Sequence, residues 1–126
     1  MKQISESEML HRAAAYCSAS ERCIQDVEKK IKAAGLAGEE SGRIVSRLLQ
    51  ERFIDESRFA RYFVNDKLRF NKWGRVKINY EMQRKGIPSS IRSEALEGID
   101  EQEYRSILLS LLKSKKKATR GKDDRE

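Results

Sequence analysis

Residues 54–87 read IDESRFARYFVNDKLRFNKWGRVKINYEMQRKGI. Asp55 and Glu56 are helix-start chemistry: a side-chain oxygen can accept from the open N–H groups of a first turn, and an acid there suits the positive end of the helix dipole. Phe59 and Phe63 recur at helical spacing, as do Ile78 and Met82. Trp73-Gly74 reads as a hinge between two helices, and Gly86 can take the left-handed conformation that stops the second. The stretch is therefore a helical hairpin, and its charge is one-sided. Arg58, Arg61, Lys67, Arg69, Lys72, Arg75, Lys77, Arg84 and Lys85 face only two acids, Asp66 and Glu81, so residues 58–85 hold a net +7. That equals the formal charge of the whole chain, and the remaining residues balance to zero. A positive patch segregated on a folded element is the electrostatic footprint of a polyanionic partner.

The same start signal appears three times. Ile54-Asp55-Glu56-Ser57-Arg58-Phe59 returns as Ile99-Asp100-Glu101-Gln102-Glu103-Tyr104, 45 residues on, and is foreshadowed by Ile4-Ser5-Glu6-Ser7-Glu8-Met9, 50 residues before. Each copy has an aliphatic residue, a capping residue, a glutamate and a large apolar residue. Gly35-Leu36 and Gly86-Ile87, 51 residues apart, each follow a basic helical segment. Internal repetition on this scale marks stacked supersecondary units.

The predicted organisation is all-α, with three-helix units of helix-turn-helix type stacked into an elongated body: unit one over residues 1–53, unit two over 54–98, and over 99–126 the first helix of an incomplete third unit with a charged disordered tail. In unit one, helices are expected over Glu6–Cys17 (Met9, Ala13, Ala14 and Cys17 inward), then to Ala34 (Ile24, Val27 and Ile31 inward), then over Glu40–Glu51 (Ile44, Leu48 and Leu49 inward). Ser18 with Glu21 is a candidate capping box for the second of these, with Ser20 as a competing cap. Unit two is expected to bury Phe59 and Phe63 with Tyr62, then Ile78 and Met82 with Val76, then, after Pro88, Ile91, Ala95 and Leu96. The third unit begins with Tyr104, Ile107, Leu108, Leu111 and Leu112, apolar on more than one face. Packing on unit two, dimerisation, or chain beyond Glu126 would each cover it.

Composition narrows the class. Charged residues make up 37% and apolar residues 38%, with one proline, which suits helices with thin apolar stripes. No apolar run is long enough to cross a bilayer and no signal pattern opens the chain, so a cytoplasmic protein without membrane contact is expected. Cys17 and Cys23 are six apart with no histidine cluster, which favours two reduced, apolar cysteines over a metal or redox pair. His11, the only histidine, has no partner for catalysis. Asp55/Glu56 and Asp100/Glu101 are adjacent carboxylates that do not share a helix face, and capping explains them. With no phosphate loop, nucleophile or metal-ligand cluster, no enzyme and no cofactor are expected.

The D-E-x-R-F-A start (Asp55, Glu56, Arg58, Phe59, Ala60), then R-F-N-K-W-G-R-V-K-I and M-Q-R-K-G-I, in tandem three-helix units resemble the RecX family of bacterial regulators of the RecA recombinase. The similarity covers roughly residues 5–112 and is strongest over 54–87. The family typically completes a third three-helix unit, whereas this chain stops after its first helix, a departure that favours a shortened chain. The resemblance implies a non-enzymatic modulator that lodges in the groove of RecA–DNA filaments, impedes ATP hydrolysis and strand exchange, and encourages disassembly.

The residues expected to contact phosphate or partner are Arg61, Lys67, Arg69, Lys72, Arg75, Lys77, Arg84 and Lys85. Phe70 and Trp73 lie among these cations, where aromatic rings can stack on unpaired bases; Trp73 either does so or plugs the gap between helices. The expected partners are the RecA nucleoprotein filament and, weakly and without sequence preference, single-stranded and duplex DNA; the protein itself is expected to be a monomer. Two other classes compete: a helix-turn-helix transcription regulator, which would present short polar side chains to base edges, and a pure protein-interaction scaffold with incidental charge.

Overall fold

The computed structural model describes residues 4–123, with side chains through Lys113. Its elements are α1 (Glu6–Ala19), α2 (Ile24–Ala33), α3 (Gly38–Gln50), α4 (Glu56–Arg69), α5 (Arg75–Arg84), α6 (Ser89–Glu97) and α7 (Glu101–Asp123), and no strand occurs among the described residues. Helices α1–α3 pack on one another, α4–α6 do the same, and α7 leans on α4. None of these helices is long and apolar enough to cross a membrane.

The threefold start signal is visible as three equivalent sets of hydrogen bonds. Ser5 Oγ accepts from Glu8 N–H (3.1 Å), Asp55 Oδ1 from Arg58 N–H (3.0 Å) and Asp100 Oδ1 from Glu103 N–H (3.0 Å). In each case the cap carbonyl also takes the N–H of the large apolar residue, Met9, Phe59 or Tyr104. The aliphatic residue before each cap, Ile4, Ile54 or Ile99, is buried. Helix ends repeat as well. Gly35 (φ +96°) and Gly86 (φ +79°) close α2 and α5, with Leu36 N–H returning to Ile31 O and Ile87 N–H to Met82 O. Arg52 (φ +62°) closes α3 in the same way, with Phe53 N–H on Leu48 O, and as a non-glycine it holds that conformation at a steric cost.

Two apolar cores result. Met9, Ala13, Cys17, Val27, Ile31, Leu36, Ile44, Val45 and Leu48 form the first, together with Ile4 and Ile54. Phe59, Ala60, Phe63, Val64, Leu68, Ile78, Met82, Ile87, Ala95, Ile99 and Ile107 form the second, together with Cys23. Ile54, expected to open unit two, thus packs in the first core, and Cys23 of the first unit packs in the second.

Several expectations need correction. Helix α2 begins at Ile24, because Ser18 Oγ donates back to Ala14 O (2.9 Å), Ser20 ends α1, and Glu21 is held by Arg58. Leu49, Tyr62 and Val76 are exposed, since each stands one or two residues from a buried neighbour and is rotated off its helix's inner face. Ile91 and Leu96 are only half-buried. The backbone stays helical to Asp123, beyond the expected start of the disordered tail. Lys, Arg and Ala are strong helix formers, so a composition too charged for a core still suits a helix. Residues 124–126 of that tail lie outside the described residues.

Between the units the seam is polar around a small apolar centre. Arg58 Nε bonds both carboxylate oxygens of Glu21 (2.9 and 2.8 Å), and its Nη2 reaches Arg52 O and Phe53 O. Glu56 accepts from Ile24 N–H, and Gln25 donates to Arg84 O. Lys85 Nζ bonds Asp26 Oδ1 at 3.0 Å. Both cysteines are free thiols. Burial raises the pKa of each, for Cys23 to about 11, so both stay protonated and serve as small apolar residues.

The seam gives stability a definite pH dependence. Burial pushes the Asp26 carboxyl up, but Lys85 and the Cys23 N–H outweigh it and its pKa is lowered overall. A carboxyl held below its ordinary value stabilises the fold above about pH 4 and loses that contribution as pH falls through the lowered pKa. Asp26→Asn should cost about 1–3 kcal/mol at neutral pH by leaving the Lys85 ammonium half-buried without its counter-charge. It should also flatten the loss of stability on acidification. Urea melts at pH 7 and below pH 4 check this: a variant as stable as wild type and equally acid-sensitive would remove the pair from the seam's energetics. Glu56 works the other way, because burial raises its carboxyl and its ionisation opposes folding as pH rises.

Candidate nucleic-acid interface

Helices α4 and α5 and the 70–74 connection carry the expected site. Their inner faces are fixed by Phe59, Phe63, Val64, Leu68, Ile78 and Met82. Cations occupy the remaining positions, and the structure sorts the nine predicted residues into three groups.

Arg61, Lys72, Lys77 and Arg84 point outward and are exposed. Arg84 has a loose pair with Glu81, one turn back (3.7 Å), and lies 5.9 Å from the Tyr80 ring, while Lys77 lies 4.5 Å from the Trp73 ring. Lys72 stands in the left-handed region (φ +58°). These four are the exposed cations of the hairpin that no acid of another helix holds.

Arg69 and Arg75 form the edge facing α7. Arg69 grips Glu103 with two hydrogen bonds (2.7 and 3.1 Å), and Arg75 pairs with Glu101. The Arg75 N–H also donates to Tyr104 Oη (3.1 Å), with its guanidinium 4.1 Å over that ring. Acids from the first turn of α7 therefore neutralise these two arginines.

Lys67, Trp73 and Lys85 are built into the body. Lys85 is taken by Asp26 across the seam, its ammonium 5.9 Å from the Phe59 ring. Trp73 is half-buried, edge-on to Phe63 (ring centroids 6.3 Å apart), with the Lys67 ammonium 5.3 Å from its ring. Lys67 also approaches Asp66 (3.5 Å). The Trp73 ring thus packs on the body while part of it stays open to solvent.

Exposed apolar side chains accompany the outward cations: Phe70 (80% exposed), one of the two aromatics expected among them, and Val76 (85%), Tyr80 and Tyr62, which were not expected as surface. On α5, Val76, Tyr80 and Arg84 follow at intervals of four, opposite Ile78 and Met82, a signal that the helical period does carry. Phe70 is harder to read. Seven residues after Phe63 it would share that residue's inner face, but α4 ends at Arg69 and the ring swings out.

Helix α6 differs in character. Arg92 is bound to Asn79 Oδ1 and Ile87 O, and its exposed charges are Glu94 and Glu97. Among the residues described, no group of three or more His, Cys, Asp or Glu is placed to hold a metal ion.

Residues 55–96 match the family described as RecX, second three-helix domain. A curated relative, Regulatory protein RecX of Prosthecochloris aestuarii, is 32% identical over 117 residues, covering 93% of this chain and 74% of the relative. The Lactobacillus johnsonii protein of the same name is 26% identical over 113 residues, covering 90% of this chain but 42% of that longer relative. Among solved structures, RecX from Lactobacillus salivarius superposes with a TM-score of 0.76 at 20% identity, over 86% of this chain and 71% of the other. A second structure, of a regulatory protein RecX, gives a TM-score of 0.69 at 22% identity, over 81% and 52%. Shared sequence along nearly the whole chain, and a shared fold of tandem three-helix units, lead to one assignment: the chain belongs to the RecX family of regulatory proteins.

Proposed function

We propose that this chain is a non-enzymatic regulator of the RecA recombinase, acting in the cytoplasm by binding RecA–DNA filaments and lowering their ATP hydrolysis and strand exchange. The observation that carries the reading is the charge asymmetry of unit two. All of the net +7 lies within residues 58–85, and Arg61, Lys72, Lys77 and Arg84 present it to solvent. Such a surface suits a polyanion recognised by its phosphates instead of its base sequence. The helix-turn-helix repressor reading is less well supported, because α6, the helix that would enter a groove, presents Glu94 and Glu97 and has its one arginine bound internally.

The test is RecA-catalysed ATP hydrolysis on single-stranded DNA, which should fall as the protein is added. Hydrolysis that stays constant at saturating protein would overturn the reading. DNA alone should bind weakly, without sequence preference, and with strong salt dependence. Four outward cations give a log–log slope of about −3 to −4 on duplex DNA, at roughly −0.9 per neutralised phosphate. A slope near zero, or one duplex sequence strongly preferred at high salt, would restore the repressor reading.

A further inference from the structure

The connection between α4 and α5 breaks two local rules within three residues. Phe70 leaves 80% of its surface in solvent, and Lys72 holds a left-handed backbone (φ +58°) that L side chains avoid. The left-handed Lys72 lets the loop close, with Trp73 N–H on Lys67 O (3.1 Å) and the Trp73 ring anchored against Phe63, but nothing in the packing asks for an exposed ring at position 70. A smaller polar residue at position 70 and a glycine at 72 would satisfy the fold better. Local violations concentrated in one exposed segment point to binding.

The ligand follows from the chemistry. A bare aromatic ring beside Lys72, on a hairpin of net +7, suits a partner that is flat and apolar at one atom group and anionic at the next. An unpaired base with its own phosphate is that partner. Duplex DNA offers the same phosphates but keeps its bases stacked inside. Trp73, the other aromatic among these cations, is half-buried: the Lys67 and Lys77 ammonium groups approach its ring and Phe63 meets it edge-on. We propose that Phe70 stacks on an unpaired base of single-stranded DNA while Lys72 holds the adjoining phosphate. This rests on the reading of the hairpin as a polyanion-binding surface, and adds a preference for unpaired over paired strands.

The experiment is fluorescence anisotropy with a labelled deoxythymidine oligonucleotide, a uridine oligoribonucleotide and a duplex of equal length. Phe70→Ala should weaken single-strand binding about five- to 150-fold, the range for loss of one base–aromatic stack, and change duplex binding by less than about two-fold. Phe70→Trp should restore it, and Phe70→Leu, apolar without a ring, should not. Because residue 70 is exposed, all three variants should keep wild-type circular dichroism. Equal losses on single strand and duplex, or a leucine variant as good as wild type, would overturn the proposal, and a loss confined to the oligoribonucleotide would overturn DNA as the partner. If Phe70→Ala keeps its DNA binding but no longer slows RecA, the ring meets protein: the stacking proposal fails while the regulator reading stands. Conversely, a wild-type protein that shows the stacking pattern yet leaves RecA unaffected sinks the regulator reading alone.

Discussion

Reversing Arg61, Lys72 and Arg84 to glutamate should abolish inhibition of RecA-catalysed ATP hydrolysis while leaving the helices intact. The three side chains are exposed and none bonds another helix, so their contribution to stability is small. Their contribution to a long-range field is not, because three attractions become three repulsions and the hairpin falls from +7 to about +1. Apparent affinity for the filament should drop by at least about 100-fold at low salt, since each reversal removes an attraction of roughly 1 kcal/mol and adds a comparable repulsion. Circular dichroism is the control. A folded triple variant that inhibits like wild type would move the working surface off this hairpin. Arg69 and Arg75 are the wrong choice for this experiment. Reversing them sets glutamate against Glu103 and Glu101 and unseats α7, so an inactive variant would not separate binding from folding.

The largest stability effect is expected at Phe59. Its ring is 3% exposed and stacked on Phe63 with centroids 5.7 Å apart, at the centre of the second core. Phe59→Ala removes the transfer energy of the ring and leaves a cavity between α4 and the elements on it, together about 3–5 kcal/mol. A domain of this size has about 5–15 kcal/mol in all, so the variant should melt far below wild type in urea. A loss under about 1 kcal/mol would mean that the core closes over the gap or that the ring is not central.

What the sequence disclosed and what it withheld divide by distance along the chain. Caps at Ser5, Asp55 and Asp100 and stops at Gly35 and Gly86 are settled within one or two turns, so type and spacing were enough to place them. Inner faces were legible where apolar residues recur at three and four, as in Phe59–Phe63 and Ile78–Met82, and were misread at Leu49, Tyr62 and Val76, where an apolar residue stands off the face. Ser18 with Glu21 looked like a cap because the true partner of Glu21, Arg58, lies 37 residues on. In the candidate site, the net charge of the hairpin was visible at once. Which cations are free was not: the partners of Lys85, Arg69 and Arg75 lie 59, 34 and 26 residues away, and no local pattern announces them.

The crossing of Ile54 into the first core and Cys23 into the second bears on how such a chain can gain or lose length. A repeat that closed on itself would be a bead, added or deleted at little cost to its neighbours. Here each three-helix unit is finished by the other. A piece cut at Asp55 opens a gap where the Cys23 thiol sat and strips Arg58 of its only carboxylate partner among the ion pairs described. Loss of either unit would therefore damage the core of the other as well as remove its own. The basic hairpin therefore depends on unit one, through Cys23 and the Arg58–Glu21 pair, as well as on its own helices.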